Sequence, residues 1–156
     1  MTPRSANDTI TFVKEIENLK TLSHPGTVLV SAAAIDNALQ KLLLCKMRNL
    51  SNEEAKRIFR PLHHFSPKID IAYAFELIDD DLYNDLRIIK DIRNEFAHPK
   101  GWTDFGTPAV AELVRQFKEW NSSCDLFELF NTRVLICLKG IDAKLETALM
   151  AYALKS

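Results

Sequence analysis

Residues 27–48, TVLVSAAAIDNALQKLLLCKMR, decide the fold. Val28, Ala32, Ile35, Leu39 and Leu42 recur every three or four positions, the spacing that lines one face of an α-helix. Ala34, Ala38 and Cys45 widen that stripe onto a second side. A helix apolar over so much of its circumference is covered by several neighbours, so this stretch is expected to be the central post of a helical domain.

Working outward, His24-Pro25-Gly26 reads as the break that stops an earlier helix over about Asn7 to Leu22, whose Phe12, Ile16 and Leu19 share a face. On the other side, Ser51-Asn52-Glu53-Glu54 is a capping-box pattern opening a short helix to about Phe59. After a loop from Arg60 to Phe65, Ser66-Pro67 supplies a serine cap and a first-turn proline for a helix to about Ile78. Asp79-Asp80-Asp81 places negative charge where the dipole of the next helix, about Asp80 to Ala97, favours it. Thr107-Pro108 repeats the cap-plus-proline signal for a helix to about Trp120, with Val110, Leu113, Val114, Phe117 and Trp120 expected in the core. Residues from about Asp125 to Leu154 read as helix again, in one or two pieces, with Gly140 a weak break. No strand pair, internal repeat or low-complexity tract stands out. The expectation is an all-α, single-domain helical bundle over residues 1–156, with about six to eight helices.

Composition agrees and narrows the function classes. Four glycines in 156 residues leave few positions for the special backbone angles that hairpins and phosphate-cradling loops require. Neither a dinucleotide-binding nor a Walker-type glycine motif occurs. A formal charge of −1 argues against broad coating of nucleic acid, leaving at most a local basic patch. Three widely spaced cysteines, Cys45, Cys124 and Cys137, with no Cys-x-x-Cys pair, read as reduced thiols, and no His/Cys spacing suits zinc. No metal and no cofactor are assigned. The N-terminal residues lack an apolar signal core, and no stretch reads as the roughly 20 apolar residues that span a bilayer, so no membrane is expected and the location expected is cytoplasmic.

One constellation looks chemical. On the helix from Asp80, Leu82, Leu86, Ile89, Ile92 and Phe96 fall in one apolar arc, and Arg93 falls near its middle. An arginine facing a core must be paired or line a polar cleft. His98 precedes Pro99 and is therefore biased out of helical angles, which frees it to turn back toward Arg93, with the Asn94 amide beside the pair.

Arg93-Asn94-Glu95-Phe96-Ala97-His98 resembles the R-x4-H motif of the HEPN superfamily. The run Phe65 to Ile78, the motif itself, the segment Ala33 to Leu39 and the loop Trp102-Thr103-Asp104-Phe105 together resemble the mannitol operon repressor family over roughly residues 28 to 115. The resemblance implies a HEPN-like helical bundle, a homodimer and a bacterial regulatory protein acting in transcriptional control through a protein partner or nucleic acid. It also implies an alternative, a metal-independent ribonuclease. There a ribose 2′-hydroxyl attacks the adjacent phosphate, His98 serves as acid or base, and Arg93 holds the phosphate. A further alternative is a non-catalytic helical interaction module.

Each functional reading has a structural counterpart. Arg93 is expected to bond a buried acid, with Asp36 on the central helix the candidate, while His98 caps its helix. This role is preferred, since the longer match is to regulators. Lys56, Arg57, Arg60 and Lys68, with His63 and His64, form the best basic cluster for DNA or RNA phosphates, against a plain solvated surface. No helix-turn-helix with a basic reading face is visible. Trp102 and Phe105 are expected to plug the end of the bundle in preference to stacking on a base.

Overall fold

Pro25 and Gly26 turn out to begin the central helix. In the computed structural model, which describes residues 23–47, 49–98 and 101–153, α1 runs His24–Lys46 and carries proline in its first turn. Proline is tolerated there because the N–H it lacks has no intrahelical acceptor at that position. The proposed helix over Asn7 to Leu22 lies outside the described residues.

Five further helices follow among the described residues, and no strand: α2 Asn52–Phe59, α3 Phe65–Ala74, α4 Asp80–Ala97, α5 Pro108–Val114 and α6 Leu126–Ala153. The chain is thus an all-α bundle. Val28, Ile35, Leu39, Leu42 and Leu43 of α1 are almost fully buried, and α1 packs on α3, α4 and α6, as a central post should. By length and composition α1 is also apolar enough to cross a membrane, contrary to the sequence expectation; here its stripe is covered by three helices.

Two helices differ in extent from their sequence signals. His64, not Ser66, is the N-cap of α3, and its end is a Schellman closure at Ala74 instead of Ile78. Leu77 N–H donates to the Ala72 carbonyl and Glu76 N–H to that of Tyr73, with Glu76 in the left-handed region at φ 55°. Glutamate occupies a place where glycine is usual, which is why the sequence concealed the stop. Helix α5 ends at Val114 and gives way to turns that still bury Phe117. Trp120, expected in the core, is 38% exposed because the chain has left the helical stripe before reaching it. In contrast, α6 passes through Gly140 unbroken; a Cβ there would make only ordinary contact with Leu82.

Cross-helix contacts fix the orientation of α4. Its Asp79 N-cap bonds Lys144 at 3.2 Å, and Leu82 lies over Gly140, whereas Phe96 at the other end meets Phe105, which touches Phe130. Helices α4 and α6 are therefore antiparallel. His24 packs against Phe105 and Phe127, so the start of α1, the start of α6 and the end of α4 share one end of the bundle.

Candidate functional site

That shared end presents the motif. Helix α4 is opened by Asp79, whose carboxylate accepts from Leu82 N–H, and the bond holds the carboxyl below its usual range, with Lys144 assisting. The helix closes at His98, which leaves helical angles at φ −127°, ψ 59° as its place before Pro99 requires. Its backbone N–H still reaches the Asn94 carbonyl at 3.1 Å. The ring of His98 and the Asn94 amide are exposed, and Arg93 is half-buried.

Arg93 does not pair with Asp36. Its Nη1 donates to Asn94 Oδ1 at 3.1 Å, and no carboxylate among the described residues bonds it. Asp36 instead receives both bonds of Lys68 Nζ, at 2.7 and 2.9 Å. Lys68 is 3% exposed, so an ammonium read as a surface cation is a buried ion joining α3 to α1. The physical reason is burial: the ammonium inside the α1–α3 contact needs the carboxylate more than a guanidinium at the rim does.

The basic cluster shrinks in consequence. Lys56, Arg57 and Arg60 are exposed on and just after α2, and Lys56 is paired with Glu53 at 3.1 Å. His63 Nδ1 contacts the Arg60 carbonyl, and its ring lies 3.8 Å from that of His64.

Beyond His98, the loop's two aromatics part company. Phe105 is 4% exposed and sits among His24, Phe96, Phe127 and Phe130, plugging the bundle end as expected. Trp102 does not plug it; the residue is 86% exposed. Its Nε1–H donates to Asp104 Oδ2 at 3.3 Å, while Asp104 Oδ1 accepts from Gly106 N–H at 2.8 Å and the Thr107 hydroxyl at 3.3 Å. These bonds, the one from Trp102 foremost, hold the Asp104 carboxyl below its usual range. An exposed tryptophan and a buried phenylalanine thus stand three residues apart, with Asp104 bonded both to the Trp102 indole and to the turn that follows.

A second polar centre escaped the sequence reading. Asp85 of α4 and Arg133 of α6 form a buried ion pair through Nε and Nη2, and Arg133 Nη1 also bonds Glu119 at 2.8 Å. Burial pushes the Asp85 carboxyl up against the pull of the guanidinium. The pair floors an open cavity of about 520 Å³ between Asp81, Arg87, Gln116 and Lys118. The signal was present: Asp85 falls on the same apolar arc as Leu82 and Leu86, and Arg133 is the first charge after Glu128 in an apolar run. Beneath them, burial pushes the Cys137 thiol well up, which suits a core residue and not a nucleophile. Among the described residues no group of three or more His, Cys, Asp or Glu side chains is placed to hold a metal ion.

Comparison with known proteins finds no matching family model, no matching curated protein and no matching solved structure.

Proposed function

We propose that the chain is a cytoplasmic bacterial regulatory protein of the mannitol repressor type, acting in transcriptional control through contacts made by the C-terminal end of α4. The observation that carries this reading is the state of Arg93. Its guanidinium has no carboxylate partner among the described residues and bonds exposed Asn94, on the helix end that His98 closes. A guanidinium that no described carboxylate engages is available for a carboxylate or phosphate from outside. Direct reading of duplex DNA by the basic cluster is less well supported, since Lys68 is buried on Asp36 and Lys56 is paired with Glu53.

The test compares tagged wild-type protein with Arg93→Ala in pull-downs from lysate, treated separately with DNase and RNase. Bound material that is lost with Arg93 while the variant melts like wild type is the expected result. Equal capture by both proteins would remove the α4 end from the reading. The resemblance adds a homodimer, which a strictly monomeric sedimentation profile would withdraw.

The ribonuclease reading keeps one specific observation in its favour: His98 is exposed at the same helix end as Arg93, which no carboxylate among the described residues bonds. His98 would move the proton and Arg93 would offset charge on the phosphate. Cleavage of RNA in EDTA, lost in both His98→Ala and Arg93→Ala, is its expected signature. Intact RNA after prolonged incubation with wild-type protein would dismiss it.

A further inference from the structure

We propose that Trp102 is a stacking platform for an unpaired base of a single-stranded nucleic acid, a phosphate of the same strand being held by Arg93. The inference rests on the end of α4 being the contact site and names what that site holds.

Indole has one hydrogen-bonding group, a donor, and here Asp104 already accepts it. What Trp102 has left to offer is its ring faces, on a residue 86% exposed. Ring faces recognise another flat ring, and stacking of this kind tolerates any base. The platform is held in place before a ligand arrives. Phe105 anchors the loop in the core, and Asp104 and Thr107 exchange bonds, with Asp104 N–H donating to Thr107 Oγ1 at 3.0 Å. A fixed platform avoids part of the ordering cost that binding otherwise carries.

The make-up of the loop favours a base over a protein. A protein interface core is a contiguous apolar patch around its aromatic anchor. Between residues 93 and 107 Trp102 is the only exposed large apolar side chain among those described. Its neighbours in the loop are Gly101, Thr103, Asp104 and Gly106. Four Cα–Cα steps separate it from His98, which limits the distance between their Cα atoms to about 14 Å. Arg93 lies about 7.5 Å further back along α4. Both are within the reach of one short oligonucleotide.

The protein has two tryptophans, so a Trp120→Phe variant reports on Trp102 alone. Titration with a single-stranded oligoadenylate is expected to quench that emission, and a blunt-ended duplex of the same length to leave it unchanged. By anisotropy of a labelled oligoadenylate, Trp102→Ala is expected to bind about tenfold or more weakly, with Trp102→Phe between it and wild type. Arg93→Ala is expected to weaken binding and lower the salt slope by about 0.7, one phosphate on a single strand. Parallel RNA and DNA strands separate the two sources: equal affinity defines the ligand as base plus phosphate, and preference for RNA adds a contact to the 2′-hydroxyl.

Absence of quenching, or equal binding of duplex, overturns the proposal. If Trp102→Ala binds like wild type while Arg93→Ala does not, the platform is wrong and the α4 contact site stands. If no oligonucleotide binds but Arg93 still governs an RNase-resistant and DNase-resistant capture, the occupant is a protein and the proposal fails.

Discussion

At the scale of single residues, ion pairing is decided by which charge has been taken out of water. Lys68 is almost fully buried and takes Asp36; Arg93, at the rim, is left to an amide among the described residues. Asp36→Ala should therefore cost about 3 kcal/mol in a urea melt, since it strands a buried ammonium. Arg93→Ala should change stability by no more than about 0.5 kcal/mol, as for a surface substitution. A reversed order would mean that Arg93, not Lys68, is the structural cation. Loss of either Asp85 or Arg133 should cost about 3–5 kcal/mol, and the double variant Asp85→Leu/Arg133→Met should recover most of that loss. The same scale carries a pH prediction. Asp104 has its carboxyl lowered by the bond from Trp102, so that bond is fully present above the ordinary carboxylate range and is lost as pH falls through the lower folded value. In the Trp120→Phe variant, Trp102 emission should accordingly stay flat through the ordinary carboxylate range and change only below it. Asp36 and Arg93 were both legible as chemically loaded positions, but their partners were not, because a helix projection gives the face of a side chain and not what lies opposite.

Among the elements, the ends carry most of the information. The capping box of α2 is formed as its sequence spells it: Glu54 N–H donates to Ser51 Oγ and Ser51 N–H to Glu54 Oε2 at 2.9 Å. Yet α2 buries only Phe59 among its residues, so local capping holds it more than packing does. Ser51→Ala should cost about 1 kcal/mol, and amides of α2 should exchange well before those of α1 and α4. Hydrogen exchange read residue by residue checks both the order and the effect of the variant. The end of α3 makes the opposite case, a closure the sequence concealed. Replacing Glu76, at φ 55°, with glycine should raise stability by about 1 kcal/mol in thermal melts, since the left-handed conformation disfavours a side chain. A neutral or negative effect would mean that the Glu76 carboxylate contributes something the backbone angle hides. The starts at Ser51 and Asp79 were readable because the cap is a side-chain property, whereas the serine signal at Ser66 was passed over for His64. The end at Ala74 was not, because it depends on a backbone angle taken by an unsuited residue.

For the whole molecule, the end of the bundle where α1 and α6 begin and α4 finishes gathers the motif, the Phe105 plug and the exposed Trp102. Helix α4 is braced to α3 at its other end, where the Tyr73 and Tyr83 rings stack at 4.1 Å and Tyr73 donates to Asp80 at 2.8 Å. The motif is thereby presented by a helix held along its length, the condition for a contact site with fixed geometry. The sequence alone determined the helical class, the central position of residues 27–46 and the extent of α4, because hydrophobic period and capping residues act within a few positions of themselves. It also marked Arg93, Asn94 and His98. Only the tertiary structure decided that Lys68 takes Asp36, that Asp85 meets Arg133 across 48 positions, and that Trp102 faces water while Phe105 faces the core. Those outcomes turn on which groups are desolvated together, and desolvation is a property of neighbours that packing brings from distant parts of the chain.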